Sequence, residues 1–271
     1  MFGVFLTIRC YYILYTEPMY QVTELLKFPK LFHAFSTKSE GNMSYFFNGN
    51  ECDKDQVLEN RNKFLAKFDI DINSCIALWV EHSDKILVAD RKSAGISMKD
   101  KKYAIRADGL ITNQKGLYLF LLIADCLPII LYDPVRGAIG LVHAGWLGVD
   151  LEIAKKGVME MQEKYRCNPS DMVVGIGPCA HKESFIKENP SQKDDPRWQP
   201  FMQKTEGELY KVDLVGFTKK QLLDAGVQDK NLFISNVDTA KDKRFFSHTR
   251  EKDLPIERQG RFACVVGLRG R

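Results

Sequence analysis

Three side chains in this sequence belong to types that bind a borderline-soft metal, and they stand where strand ends could gather them: His82, Cys126 and His143. His82 follows the apolar run of residues 76–80, and Cys126 lies between two apolar runs in LLIADCLPIILYD. His143 ends the run AIGLV and opens into AGWLG. Adjacent strands set their ends side by side, so residues distant in sequence can meet there. Two imidazoles and one thiolate are sound zinc ligands, and three protein ligands leave one tetrahedral position for water or substrate. The same set could hold copper, as in electron-transfer sites with a weak axial ligand. The five histidines (33, 82, 143, 181 and 248) are too few for a full multicopper cluster. A metal-free alternative is a cysteine hydrolase, with Cys126 attacking and His143 as its base. Otherwise Cys126 is a small buried hydrophobe and each histidine a hydrogen-bonded structural residue.

One motif is a decoy. His181-Lys182-Glu183 reads H-x-E, the first half of a zinc deaminase signature, which needs P-C-x-x-C afterwards. Here Pro178-Cys179 comes before it and lacks the second cysteine, so the segment reads as a polar loop after a strand.

Apolar β-type runs recur at 75–80, 85–89, 117–123, 128–132, 137–142, 171–176, 232–237 and 262–268. A helix is expected after Asp150 as N-cap, with Leu151, Ala154, Val158, Met161 and Tyr165 on one stripe. Another follows Asp213 and stops at Gly226, and a third spans 55–68. The stretches 34–54, 90–108 and 187–207 read as long polar loops, which in a compact domain often carry function. Strand clusters with interspersed helices predict an α+β fold, a single domain with mixed β-sheets flanked by helices.

The chain has 271 residues, 45% hydrophobic and 27% charged, ordinary for a globular domain. A net charge of +4 is too mild to argue for nucleic acid. Residues 241–271 hold nine Lys/Arg and four Asp/Glu, read as a solvated tail, with an anionic-ligand wall as the alternative. Seven scattered cysteines, odd in number and never spaced C-x-x-C, indicate a reducing, cytoplasmic setting rather than a disulfide framework. The apolar start is broken by Arg9, too short to span a bilayer, and a poor signal peptide. Residues 1–18 therefore read as an extension or a misassigned start before a domain covering 19–271, and no membrane partner is expected.

The segment ADCLPIILYDPVRGAIGLVHAGWLG, residues 124–148, resembles the core of the YfiH, or laccase-domain, family, also called polyphenol oxidase or peptidoglycan editing factor. Weaker echoes are FSTKSEGNMS (35–44), VLENR (57–61), ADGLIT (107–112), GIGPC (175–179), VDL (212–214), NVDT (236–239), FFSHTR (245–250) and GRFA (260–263). The resemblance implies a YfiH-like α+β fold and a zinc site of His82, Cys126 and His143. It implies purine nucleoside chemistry: phosphorolysis of adenosine, inosine, guanosine or methylthioadenosine, and deamination of adenosine. The expected partners are thus a purine nucleoside and phosphate, handled by a monomer or small homo-oligomer. Asp125 and His248 are candidate proton shuttles. Lys38, Asn42, Arg61 and Arg250 are candidate substrate- or phosphate-binding residues. Where the family usually carries Arg or Lys after H-A-G-W, this chain has Leu147.

Overall fold

The structure is a computed structural model and describes residues 19–47 and 50–270, so the reading of residues 1–18 lies outside the described residues. In chain order the first strands are β1 (Met19–Tyr20), β2 (Leu31–Ser36), β3 (Phe46–Phe47), β4 (Asn50–Glu51), β5 (Cys75–Trp79) and β6 (Ile86–Val88). They are followed by β7 (Ile105–Arg106), β8 (Gly109–Thr112), β9 (Tyr118–Ile123), β10 (Leu127–Asp133), β11 (Ala138–Ala144) and β12 (Val173–Ile176). The last are β13 (Ile186–Glu188), β14 (Met202–Lys204), β15 (Leu209–Val212), β16 (Leu232–Ile234) and β17 (Phe262–Leu268). The helices are α1 (Lys54–Ala66), α2 (Ile96–Lys99), α3 (Trp146–Asp150), α4 (Ile153–Tyr165), α5 (Leu214–Asp224) and α6 (His248–Glu251).

Twelve strands form two six-stranded mixed sheets, ordered β1-β2-β17-β9-β5-β7 and β16-β12-β10-β11-β8-β6. Their facing sides meet through Phe35, Leu119, Leu121, Phe262 and Val266 of one sheet and Leu110, Ile130, Ile139 and Leu141 of the other. The outer face of the first sheet, through Phe32, Phe120 and Val265, packs on Phe64 of α1 and Met98 of α2. The outer face of the second, through Ile129, Leu131 and Val142, packs on α4 and α5. Central strands are therefore covered on both faces, which is why β9, β10, β11 and β17 read as nearly unbroken apolar runs. This is the expected α+β domain of mixed sheets flanked by helices.

Four local expectations change. Asp150 does not cap the long helix: it closes α3, and the chain kinks at Glu152 (φ 58°) before α4 begins. The Asp150 carboxylate instead accepts from Trp198 Nε1, Arg197 Nη2 and Gln192 Nε2. Leu151, expected inward, is exposed, whereas Ala154, Val158 and Met161 are buried as expected. The polar stretch 187–207 is not merely loop, because β13 and β14 at its two ends pair with β15 just beyond it in a small antiparallel sheet. The basic C-terminal stretch is no solvated tail either: β17 lies between β2 and β9 in the first sheet. The helix capped by Asp213 is present, its carboxylate accepting from the Gly216 amide at 2.8 Å.

Candidate active site

The chain crosses from one large sheet to the other between β9 and β10, and Cys126 sits at that crossing. Asp125 makes the turn with φ 85°, a conformation unfavourable for a residue with a Cβ. Hydrogen bonds hold it there: Asp125 Oδ1 accepts from Thr239 Oγ1 at 2.7 Å, and Oδ2 accepts from Ser247 Oγ and the Thr249 amide. The register of β10 with β11 pairs Pro128 with His143, so the sulfur arrives beside that histidine.

His82 comes from the other direction, three residues past β5, also with positive φ (55°). Asp108, fully buried just before β8, folds this segment. Its carboxylate accepts from the amides of Glu81, His82 and Ser83 and from Ser83 Oγ. The same carboxylate meets His143 Nδ1 at 2.9 Å, and the His143 amide donates to the Asp108 carbonyl at 2.7 Å. One buried acid thus gathers both histidine segments. The three ligand atoms of His82, Cys126 and His143 lie within 4.8 Å of one another, the sole such group of three or more among the described residues. The His82 and His143 rings stand nearly perpendicular, 5.1 Å apart.

Electrostatics match the geometry. Burial pushes the Cys126 thiol up, but the charge of His143 and hydrogen bonds from His143 and His82 outweigh it and bring the thiol down to about 6. Burial pushes His143 down, yet the Cys126 thiolate and Asp108 overcome this and raise it to about 9. Asp108 opposes its own burial in the same way: hydrogen bonds from His143 and Ser83 hold it at about 2, ionised and able only to accept. His143 Nδ1 must then carry the proton, which leaves Nε2 to bind a metal. Gly145 is part of the fit, since a Cβ there would stand 3.1 Å from both Cys126 Sγ and His82 Cδ2. Donor types, spacing and the orienting carboxylate all fit a zinc ion.

A cavity of about 260 Å³ opens over this group, lined also by Val80, Leu122, Ala124, His248 and Arg261. Thus His248, from the expected set, reaches the cavity; burial and the nearby Arg261 charge lower its pKa. Arg261 and Asp108 were missed by residue type, although GRFA and ADGLIT already contained them. The basic C-terminal stretch contributes a cationic wall here through Arg261.

None of the expected anion binders lines this cavity. Arg61 is buried and donates to the carbonyls of Met43 and Met98, its guanidinium lying over Tyr45 and Phe120. Arg250 donates to the carbonyls of Thr239, Ala240, Asp242 and Phe245 and to Glu251. Lys38 is paired with Glu251 as well. Asn42 Oδ1 accepts from the amides of Ser44 and Arg261, so it positions Arg261 from behind. Asp125 does not line the cavity either, both its oxygens being bonded, and acts as the brace under His248. Leu147 is exposed on α3, and Trp146 packs against Trp198 with centroids 4.5 Å apart.

Residues 32–269 match the family described as multi-copper polyphenol oxidoreductase laccase. Purine nucleoside phosphorylase YlmD of Bacillus subtilis is 28% identical over 225 residues, 80% of this chain and 79% of that protein. Human purine nucleoside phosphorylase LACC1 is 29% identical over 240 residues, 82% of this chain but 53% of that protein. The crystal structure of YlmD from Geobacillus stearothermophilus superimposes with a TM-score of 0.81 at 27% identity, covering 90% of this chain and 93% of that one. YfiH of Bacillus licheniformis gives 0.80 at 25% identity, covering 90% and 94%. With nearly its whole described length matched, the chain belongs to the laccase-domain family that includes YlmD and YfiH.

Proposed function

We propose that this chain is a zinc-dependent purine nucleoside phosphorylase acting on adenosine, inosine, guanosine or methylthioadenosine. The observation that carries the reading is the convergence of His82, Cys126 and His143 in one cavity wall with the cationic Arg261. The names of the relatives, purine nucleoside phosphorylases from bacteria and mammals, support the reaction class. His82, Cys126 and His143 would hold the metal, which when bound supplies Lewis acidity.

The chain's own groups then divide the work. Arg261 receives the phosphate, whose oxygen forms a bond to C1′ of the ribose as the C1′–N bond to the purine breaks. The bond pair leaves with the base, which takes up the proton that hydrogen phosphate gives up, and His248 stands beside Arg261 in the near wall to hydrogen-bond the phosphate. Asp108 keeps the proton on His143 Nδ1 and the His82 segment folded. Apolar Val80 and Leu122 exclude water, which would otherwise compete with phosphate.

Arg261 favours phosphorolysis over adenosine deamination, because attack by phosphate needs a cation and attack by water does not. A single His/Cys/His group among the described residues is too small for multicopper oxidation. The described cysteines are all unpaired, which suits the cytoplasm, and no helix among the described residues is long and apolar enough to cross a membrane.

The test is chromatography of zinc-loaded protein incubated with adenosine or inosine, with and without inorganic phosphate. The reading requires phosphate-dependent release of the base with ribose 1-phosphate, abolished in Cys126→Ala. Absence of base release by the wild type, or undiminished release by Cys126→Ala, overturns it. Inosine formed from adenosine without phosphate would move the assignment to deamination, and activity that survives metal removal would move it to a cysteine hydrolase.

A further inference from the structure

We propose that a second cavity, beside the metal-ligand cavity and walled by Phe46 and Trp79, is the slot that holds the purine base. The inference rests on the nucleoside reading above and says where each part of that substrate lies. The second cavity measures about 270 Å³ and shares Val80, His82, Leu122 and Arg261 with the first. The two are therefore one bent cleft with His82 and Arg261 at the bend.

The far arm has a different chemistry from the near one. Trp79 is the last residue of β5 and Phe46 lies on β3, with ring centroids 6.0 Å apart and planes 37° from parallel. Both are only half-buried, unlike Phe245 and Phe262, whose edge-on contact is sealed in the core. Phe46 and Trp79 thus keep ring surface for the cleft. Lys101 stands 4.1 Å from the Phe46 centroid and pairs with Glu51 at 2.9 Å, which anchors the ring from one side. A flat uncharged heterocycle gains from stacking on such rings, whatever its exocyclic groups.

Phosphate is the wrong occupant for this arm: Phe46, Leu78, Trp79, Val80 and Leu122 make most of its wall, the Ser44 hydroxyl is already donated to the Phe46 carbonyl, and its cation, Arg261, stands at the bend. With the base against Phe46 and Trp79, the sugar falls at the bend and phosphate in the near arm, where Arg261 reaches it from the bend and His248 faces it. Each cavity is slightly below the ~300–1,000 Å³ common for ligand pockets, so the joined cleft suits one nucleoside with phosphate.

Steady-state kinetics at saturating phosphate test this with Phe46→Ala, Trp79→Ala and Trp79→Phe. The Ala variants should raise the nucleoside KM roughly tenfold or more. Phosphate KM and zinc content should stay at wild-type values, and Trp79→Phe should recover most of the loss. Titration with adenine, a probe that cannot react forward, should quench wild-type tryptophan fluorescence, and Trp79→Phe should lose most of that quench. Unchanged nucleoside KM in both Ala variants overturns the slot while leaving the phosphorylase reading intact. So does an equal rise in phosphate KM with loss of zinc, which marks a structural role. Wild type that cleaves no nucleoside yet shows the Trp79-dependent quench removes the reaction and keeps the slot. Neither cleavage nor quench removes both.

Discussion

Asp108 and His143 are joined side chain to side chain at 2.9 Å and backbone to backbone at 2.7 Å, so the carboxylate and the imidazole it orients move as one unit. The same carboxylate collects the Glu81, His82 and Ser83 amides, so one buried acid holds the backbone of the His82 segment and the ring of His143 together. Asp108→Asn puts an NH2 among donors that need an acceptor, and each stranded donor costs about 1–3 kcal/mol. The variant should bind zinc roughly 10–100-fold more weakly and unfold at lower urea, read by competition with a chelator and by denaturation of the metal-free protein. Wild-type zinc affinity in Asp108→Asn would remove its orienting role.

Gly145 makes a separate prediction about space rather than charge. Its φ is −79°, open to any residue, so only the added Cβ matters, at 3.1 Å from Cys126 Sγ and His82 Cδ2. Gly145→Ala should leave the metal-free unfolding midpoint nearly unchanged and weaken zinc binding roughly tenfold. Equal zinc affinity would mean that the sulfur and imidazole can give way.

Cys126 should be the reactive thiol of the metal-free protein. It lies at about 6, whereas burial raises Cys75 and Cys167 to about 12 and pushes Cys52, Cys179 and Cys264 upward too. Iodoacetamide labelling mapped by peptide mass should pick Cys126 ahead of these five at pH 7, with a rate midpoint near 6. Zinc should protect it. Labelling with the midpoint of an ordinary thiol would contradict the His143–Cys126 pairing.

His33 supplies a pH dependence remote from the site. Burial, helped by the Arg269 charge, pushes its imidazole down to about 4, and Nε2 accepts from the Val22 amide at 2.9 Å. The folded chain therefore resists a proton that the unfolded chain takes up near 6.5. The stability from neutral His33 is complete above that value and is lost as pH falls from 6.5 toward 4, a span worth on the order of 3 kcal/mol. His33→Gln, which keeps an acceptor for Val22, should flatten the fall in urea midpoint across this window. An equally steep fall would assign it to other groups.

Strand composition and the strand-end positions of His82, Cys126 and His143 were legible because both faces of the central strands are buried and the ligands sit at the crossing between sheets. The helix face of α4 was legible from its period. Its start was not, because Asp150 answers to Trp198 and Arg197, 48 and 47 residues away. The three-stranded sheet was hidden because its short strands carry Lys, Gln and Glu and so show no apolar alternation. Arg61 and Arg250 misled for a related reason: only the fold reveals that their donors face carbonyls. Asp108 lay in plain view inside ADGLIT, but a lone acid before a strand reads as a turn residue until its partners, 25 to 35 residues away, are known.

The most direct test of the metal centre is zinc-edge X-ray absorption on the zinc-loaded protein. The account predicts one sulfur near ~2.3 Å and two imidazole nitrogens near ~2.0–2.1 Å, with the sulfur shell missing in Cys126→Ala. A first shell of nitrogen and oxygen alone in the wild type, or a sulfur shell that survives Cys126→Ala, would contradict it.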